Sequence, residues 1–177
     1  MKYVALLRGI NVGGKAPIKM ADLKSCFETH GFENVRTYIN SGNVMFETTK
    51  TDTIKLAKNI ERCIETSFSL PVRVVVIDES HYRNIVKNVP QGWGEKLDWK
   101  YNMLFLIPPY DIDVIRADIG ELKPDIETMK IGEGIIYQAI LFTAFGRTTG
   151  GKLASRVSYK KMTIRNWNTT RKLLELL

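Results

Sequence analysis

The opening ninety residues alternate between short apolar runs and stretches in which apolar residues recur every three or four positions. The run Tyr3–Leu7 is apolar on both of its faces, which indicates a strand that is covered on both sides. A helical pattern follows over 20–27, and Pro17 suits the first turn of that helix. His30-Gly31-Phe32 then ends the helix, because Gly31 suits the left-handed conformation.

A hairpin and a second helix complete this half of the chain. Residues 34–40 and 43–48 alternate β-branched or aromatic residues with polar ones, and Ser41-Gly42 separates the two runs. Asp52 suits the N-cap of a helix whose apolar stripe extends to Phe68, and 72–77 is a fourth strand. The order βαββαβ is typical of a ferredoxin-like unit, which contains a split βαβ motif.

The second half repeats part of this order. Pro90-Gln-Gly-Trp-Gly interrupts regular structure and predicts a connector over 90–100. A strand at 101–107, a helix at 111–122 and a hairpin of 125–131 with 135–142 follow, and Thr163 is predicted to cap a closing helix. We therefore predict an α+β fold of two ferredoxin-like subdomains packed together, over 1–89 and 101–177.

Composition and charge restrict the class of protein. The chain has 177 residues, of which 44% are hydrophobic and 25% charged, as in ordinary globular domains. The net charge of +7 favours anionic partners, nucleic acid among them, although the lysines and arginines are spread along the chain. The sequence contains no apolar run long enough to cross a membrane and no signal-peptide pattern, so we expect a cytoplasmic protein.

Two glycine-rich segments have the spacing of a phosphate-binding loop, G-x-x-x-x-G-K. The first is Gly9–Lys15, but Ala16 replaces the hydroxyl that magnesium requires, and Pro17 lacks an N–H group. The second, at 146–152, lacks the hydroxyl as well. We therefore expect no nucleotide triphosphatase loop, and the surviving hypothesis is an anion nest of glycine N–H groups beside a lysine.

Polar residues at the end of the first strand and at the hairpin tip are predicted to meet. In a split βαβ sheet the first and third strands are antiparallel, so Arg8 and Asn43 fall at the same edge. The predicted ligand-binding residues are Arg8, Asn11, Gly13, Gly14, Lys15, Asn40, Ser41, Gly42 and Asn43, with Arg165 and Asn166 as a second anion contact. The alternative is structural, because asparagine and serine beside glycine are common in tight turns, and Arg8 can pair with a carboxylate.

Groups suited to catalysis or metal binding are scarce. His30 lies at a helix end, and His81 has no second histidine or cysteine at ligand spacing. Cys26 and Cys63 are far apart in amphipathic segments, which favours small buried hydrophobes over a disulfide or a reactive thiol. We expect no metal and no cofactor, and the sequence assigns no catalytic residue.

Four sequence blocks resemble the domain-of-unknown-function family 1697, a family of bacterial proteins of about this length. They are YVALLRGINVGGK, KMADLK, RTYINSGNVMF and TIRNWNTTRKLLEL. The resemblance implies two α+β, ferredoxin-like subdomains in a small cytoplasmic protein. It implies no chemistry, because the family is named for lacking one. Ile164 replaces an alanine that is common in the family, which alters packing more than charge.

The functional prediction is a binding protein for an anionic ligand. A nucleotide, a phosphate-bearing metabolite or a nucleic-acid backbone would be held by charge-assisted hydrogen bonds. One alternative is an enzyme that acts on a small phosphorylated or carboxylated substrate, with Arg8 and Lys15 stabilising the developing charge. The other alternative is a protein-interaction module with no small ligand, in which the signature residues are only structural.

Overall fold

The computed structural model describes residues 1–14 and 17–177, and Lys15 and Ala16 lie outside that description. The chain divides into two units. The first comprises Met1–Asn84 together with Lys172–Leu177, and the second comprises Ile85–Arg171. The predicted connector over 90–100 lies within the second unit. None of the described helices is long and apolar enough to cross a membrane.

The first unit is built on a four-stranded antiparallel sheet. Its elements in chain order are β1 (Lys2–Leu7), α1 (Met20–Thr29), β2 (Glu33–Tyr38), β3 (Asn43–Glu47), α2 (Thr53–Phe68) and β4 (Val74–Asp78). A further helix, α3 (Glu79–Lys87), begins in this unit and ends in the second. The strand order is β2-β3-β1-β4, with β1 antiparallel to both of its neighbours, which is the arrangement predicted from the sequence.

Both faces of the first sheet are buried, as the apolar character of β1 predicts. Tyr3, Ala5 and Leu7 belong to the cluster that packs on α1 and α2. Val4 and Leu6, which alternate with them, are fully buried on the opposite face. Each buried aliphatic side chain contributes roughly 1.5–3 kcal/mol through removal of apolar surface from water.

The end of α1 has the predicted glycine motif. Gly31 has φ +83°, its N–H donates to the carbonyl of Glu28, and the N–H of Phe32 donates to the carbonyl of Phe27. The two phenylalanine rings lie 5.5 Å apart and complete the motif with an apolar contact. His30 is thereby fixed as the C-cap residue at the end of α1.

The sequence predicted the start of α2 correctly but not the start of α1. Asp52 caps α2 as expected, because its carboxylate accepts a hydrogen bond from the N–H of Lys55 at 2.9 Å. The expected place of Pro17 in the first turn of α1 is wrong, since the helix begins at Met20. No side-chain hydrogen bond caps α1 at Lys19.

The second unit repeats the strand order of the first. Its elements are β5 (Trp99–Leu106), α4 (Ile112–Ile119), β6 (Glu127–Gly132), β7 (Ile135–Leu141) and β8 (Met162–Asn166), and α5 (Trp167–Leu176) begins in it and ends in the first unit. The order is β6-β7-β5-β8, again antiparallel. Three short 3₁₀ helices at Phe142–Arg147, Gly150–Ser155 and Val157–Lys161 replace the second α-helix. The predicted α+β class with two ferredoxin-like sheets is confirmed.

The predicted start of the last helix is wrong. Thr163 lies in β8, where it pairs with Phe105 of β5. The helix begins only at Trp167, and the cap is Asn166, whose side-chain oxygen accepts a hydrogen bond from the N–H of Thr169 at 2.7 Å. Ile164 and Trp167 have the spacing of one helix face, but Ile164 also fits the alternation of a strand. Residues 162–166 form a strand because they pair with β5.

Candidate functional site

The loop after β1 and the hairpin tip before β3 meet at one edge of the first sheet. Leu6 pairs with Asn43 in the antiparallel register, and the N–H of Leu7 donates to the carbonyl of Gly42 at 2.8 Å. Arg8 follows directly, half-buried, and its N–H donates to the carbonyl of Arg73 at 2.9 Å. The structure therefore brings together the two segments that the sequence analysis placed at a common edge.

Asn11 ties three parts of the chain together. Its side-chain nitrogen donates to the carbonyls of Ile18 and Asn40 at 2.8 and 2.9 Å, and its side-chain oxygen accepts from the N–H of Ile18 at 2.8 Å. The residue has φ +54°, a conformation that asparagine tolerates better than most residues. Both amide N–H groups of Asn11 are used inside the protein, so its contribution to a site is to position the loop against the hairpin tip.

We expect Asn11→Ala to destabilise the first unit by about 2 kcal/mol, because three hydrogen bonds are lost and two carbonyls lose a donor. The measurement is denaturation followed by amide circular dichroism. Asn34→Ala is the matched control, since Asn34 has φ +50° but is exposed. A loss for Asn11→Ala no larger than that for Asn34→Ala would contradict the assigned role.

The hairpin tip is held by its own polar groups. The Asn43 side chain is fully buried, and its nitrogen donates to the carbonyl of Tyr38 and to Oγ of Ser41, each at 3.0 Å. Gly42 is also buried, with φ +73°, and an added Cβ would lie 2.7 Å from Cβ of Leu7. Gly42 and Asn43 thus shape the turn, whereas Asn40 is exposed beside them.

Ile39 has an unusual backbone conformation at this tip. Its φ is +47°, which is costly for a β-branched residue, and its side chain is 48% exposed. Such strain costs on the order of 1–3 kcal/mol and persists where the surroundings impose it, often at functional sites.

An open cleft of about 730 Å³ lies beside the loop and the hairpin tip. Asn11 and Gly14 of the loop and Asn40 of the hairpin tip line one part of it. The remaining lining consists of Pro17, Ile18, Lys19, Met20, Asp22 and Phe68. Among the residues that the structure describes, the cleft therefore combines the cation of Lys19 and the carboxylate of Asp22 with amides and an apolar wall.

The glycine loop presents its backbone to solvent, and Gly14 of this loop lines the cleft. Gly9, Gly13 and Gly14 are exposed, have φ between +59° and +73°, and have no atom within 4 Å of an added Cβ. Lys15, the cation predicted for the nest, lies outside the described residues. An anion-binding nest needs successive backbone N–H groups from residues in alternating right- and left-handed conformations, and glycine readily adopts the left-handed one.

The predicted second anion contact belongs to the second unit. Arg165 lies in β8 and is only 6% exposed, and its Nη1 donates to Oγ1 of Thr163 at 2.9 Å and to the carbonyl of Ile164 at 2.8 Å. Asn166 uses its side-chain oxygen to cap α5. In this unit both residues therefore have local structural roles.

The second glycine-rich loop, at 146–152, holds a carboxylate of the chain itself. Glu127 Oε1 accepts from the N–H groups of Thr149 and Lys123 at 2.9 and 3.2 Å, and Oε2 accepts from the N–H of Gly150 at 3.0 Å. Burial alone would raise the pKa of Glu127, but these N–H donors outweigh it and hold the pKa below its ordinary value. The backbone of this loop thus binds an anion, and Glu127 supplies it.

Comparisons with known proteins give a family and a structural relative. A family model described as a protein of unknown function (DUF1697) matches residues 1–137. The fold is similar to the solved structure of a conserved bacterial protein, SP0830 from Streptococcus pneumoniae, with a TM-score of 0.87 and 27% sequence identity. The similarity covers 98% of this chain and 97% of the other. A comparison with curated proteins gave no match.

Proposed function

Because the chain belongs to the family described as a protein of unknown function (DUF1697), its activity has to be inferred from its own residues, and we propose that it binds a small ligand that joins an anionic group to an apolar body. One observation carries the proposal. The loop after β1 and the hairpin tip contribute Gly14 and Asn40 to the same cleft, beside Lys19.

The lining favours a nucleotide or a phosphate-bearing metabolite. The volume of about 730 Å³ is within the range of roughly 300–1,000 Å³ that small-molecule sites occupy. Lys19 offers an ammonium group to the anion, and the exposed loop glycines offer backbone N–H groups. Ile18, Met20 and Phe68 form an apolar wall against which a base or an aliphatic body would pack.

The strained tip is consistent with this proposal. Ile39 precedes Asn40, which lines the cleft, and its left-handed backbone turns the chain toward that position. An exposed side chain adds little to the core, so the cost of this conformation is not offset by burial of Ile39. A binding role for the tip explains why a β-branched residue stands in such a conformation.

We expect a ligand of this class to raise the melting temperature of the wild-type protein, and Lys19→Ala to weaken its binding by about tenfold or more. The experiment is a thermal-shift screen of inorganic phosphate, mononucleotides and small carboxylates, followed by calorimetry on each compound that gives a shift. Phosphate and carboxylate arms identify the anion, and the mononucleotide arm tests the apolar wall.

Lys58→Ala is the control, because Lys58 is an exposed lysine of α2 that does not line the cleft. Asn40→Ala should weaken ligand binding, as Lys19→Ala does. Lys58→Ala should bind the ligand as tightly as the wild type. A screen in which no compound stabilises the wild type would count against the proposal, as would equal shifts in all variants. If the anionic ligand is instead a nucleic acid, its affinity measured by filter binding should fall steeply as the salt concentration rises.

A protein-interaction surface is the second candidate function, and one observation favours it. Val12 and Ile39 are 62% and 48% exposed on the same two segments that border the cleft. Exposed apolar side chains on neighbouring loops are typical of a contact surface. A protein-interaction surface is favoured over a ligand site if no compound in the screen changes the melting temperature of the wild type.

A further inference from the structure

Two thiols and an imidazole meet between α1 and α2, away from the proposed ligand cleft. Cys26 and His30 are four residues apart on α1 and its C-cap, so they share one face of the helix. Cys63 comes from α2, and its Sγ lies 3.0 Å from Nδ1 of His30. The three possible ligand atoms all lie within 4.8 Å of one another. Both cysteines are free thiols.

The cluster of Cys26, His30 and Cys63 has a buried side and a side that is open to solvent. Cys26 and Cys63 are 6% and 3% exposed, whereas His30 is exposed. Sγ of Cys26 also lies 3.4 Å from Oγ of Ser67, another exposed residue. An ion could therefore enter past His30 and Ser67 and keep a water molecule as its fourth ligand, while both sulfurs remain shielded.

The spacing of the three atoms is close to that of a tetrahedral zinc site. Zinc–sulfur bonds of about 2.3 Å and zinc–nitrogen bonds of about 2.0 Å place sulfur and nitrogen about 3.6 Å apart. The observed 3.0 Å between Cys63 Sγ and His30 Nδ1 needs an opening of roughly half an ångström. Nδ1 also lies 2.8 Å from the carbonyl oxygen of Cys26, so the exposed imidazole must rotate out of that contact before Nδ1 binds the ion. The backbone around His30 is already fixed by the glycine motif that ends α1.

We propose that Cys26, His30 and Cys63 form a zinc-binding site with two thiolates, one imidazole and one open position. The donor set selects a thiophilic ion, because thiolate and imidazole suit zinc, whereas magnesium and calcium prefer oxygen. From the sequence we expected no metal, since Cys63 is far from the other two residues in the chain. Only the packing of α2 on α1 brings it to them.

The alternative of a catalytic cysteine is disfavoured. Burial, together with the neighbouring Cys26, raises the pKa of the Cys63 thiol to about 12, so it is protonated near neutral pH and is a poor nucleophile. When zinc binds, each thiol transfers its proton to solvent, the two sulfurs and the imidazole nitrogen bind the ion, and no electron changes hands.

The test uses untagged, full-length protein whose two thiols have first been counted as reduced. Cobalt is the probe, because it takes the place of zinc and gives a sulfur-to-cobalt charge-transfer band together with the visible bands of a tetrahedral ion. We expect one equivalent of cobalt to saturate the band and one equivalent of zinc to bleach it. Cys63→Ala should lose the band, and Cys26→Ser should weaken it.

Two histidine variants keep the test independent of core packing. His30→Gln changes an exposed residue, so the protein should remain folded while cobalt binding weakens. His81→Gln removes the other histidine of the chain and should leave the titration unchanged. A fully reduced wild type without the charge-transfer band would overturn the proposal, as would a band that persists unchanged in Cys63→Ala or in His30→Gln.

Discussion

Gly42→Ala is expected to destabilise the first unit by about 3 kcal/mol or more, from overpacking and an unfavourable backbone together. The added Cβ would lie 2.7 Å from Cβ of Leu7 and 2.9 Å from Cδ1 of Ile10, closer than real contacts allow. Leu7 belongs to β1 at the centre of the sheet, so it cannot move aside without disturbing the pairing with β3 and β4. The φ of +73° adds a penalty of its own.

Gly9→Ala separates the two contributions. Gly9 has φ +71°, almost the same as Gly42, but an added Cβ there meets no atom within 4 Å. We therefore expect Gly9→Ala to lose only the conformational part, about 1–2 kcal/mol. Urea denaturation followed by amide circular dichroism gives both values. Equal losses in the two variants would show that contact with Leu7 is unimportant.

Glu127→Ala should cost roughly 3 kcal/mol in the second unit, because three backbone N–H groups lose a charged acceptor. All three tryptophans, Trp93, Trp99 and Trp167, lie in this unit, so their fluorescence reports its unfolding. Glu121→Ala is the control, since Glu121 is exposed and should lose little. A fluorescence transition that Glu127→Ala leaves unchanged would contradict the role of the carboxylate.

The lowered pKa of Glu127 also fixes the sign of a pH dependence. A carboxyl whose pKa is depressed on folding stabilises the native state above its ordinary value of about 4.5. That contribution is lost as the pH falls through the lower folded pKa. The stability difference between wild type and Glu127→Gln should therefore be largest near neutral pH and narrow below about 4.5. A difference that widens on acidification would oppose this assignment.

The sequence predicted the first unit well because its strands and helices have clear periods and some of the helix ends have a chemical signal. Asp52 and Gly31 are examples, since each has one side-chain or backbone property that suits it to a helix end. The 3₁₀ segments of the second unit have no such period. The start of the second segment, at Thr149 and Gly150, is held by Glu127, more than twenty residues away in sequence, and no local pattern predicts that contact.

The sequence predicted where the candidate site lies better than it predicted which side chains are available to a ligand. Antiparallel pairing requires the end of β1 and the start of β3 to meet, and they do. The sequence left open whether Asn11 and Asn43 would have a structural role, and in the structure their amide donors bond to other groups of the protein. Lys19, by contrast, was absent from the predicted residues, because only the course of the chain between β1 and α1 places it in the cleft.

The first unit is assembled from two stretches of chain that are far apart in sequence. Lys172–Leu177 belong to it, and Nζ of Lys2 donates to the carbonyl of Leu177. During synthesis from the N-terminus, residues 1–84 would leave the ribosome long before these closing residues. The first unit therefore gains its last six residues only after all of Ile85–Arg171 has been made.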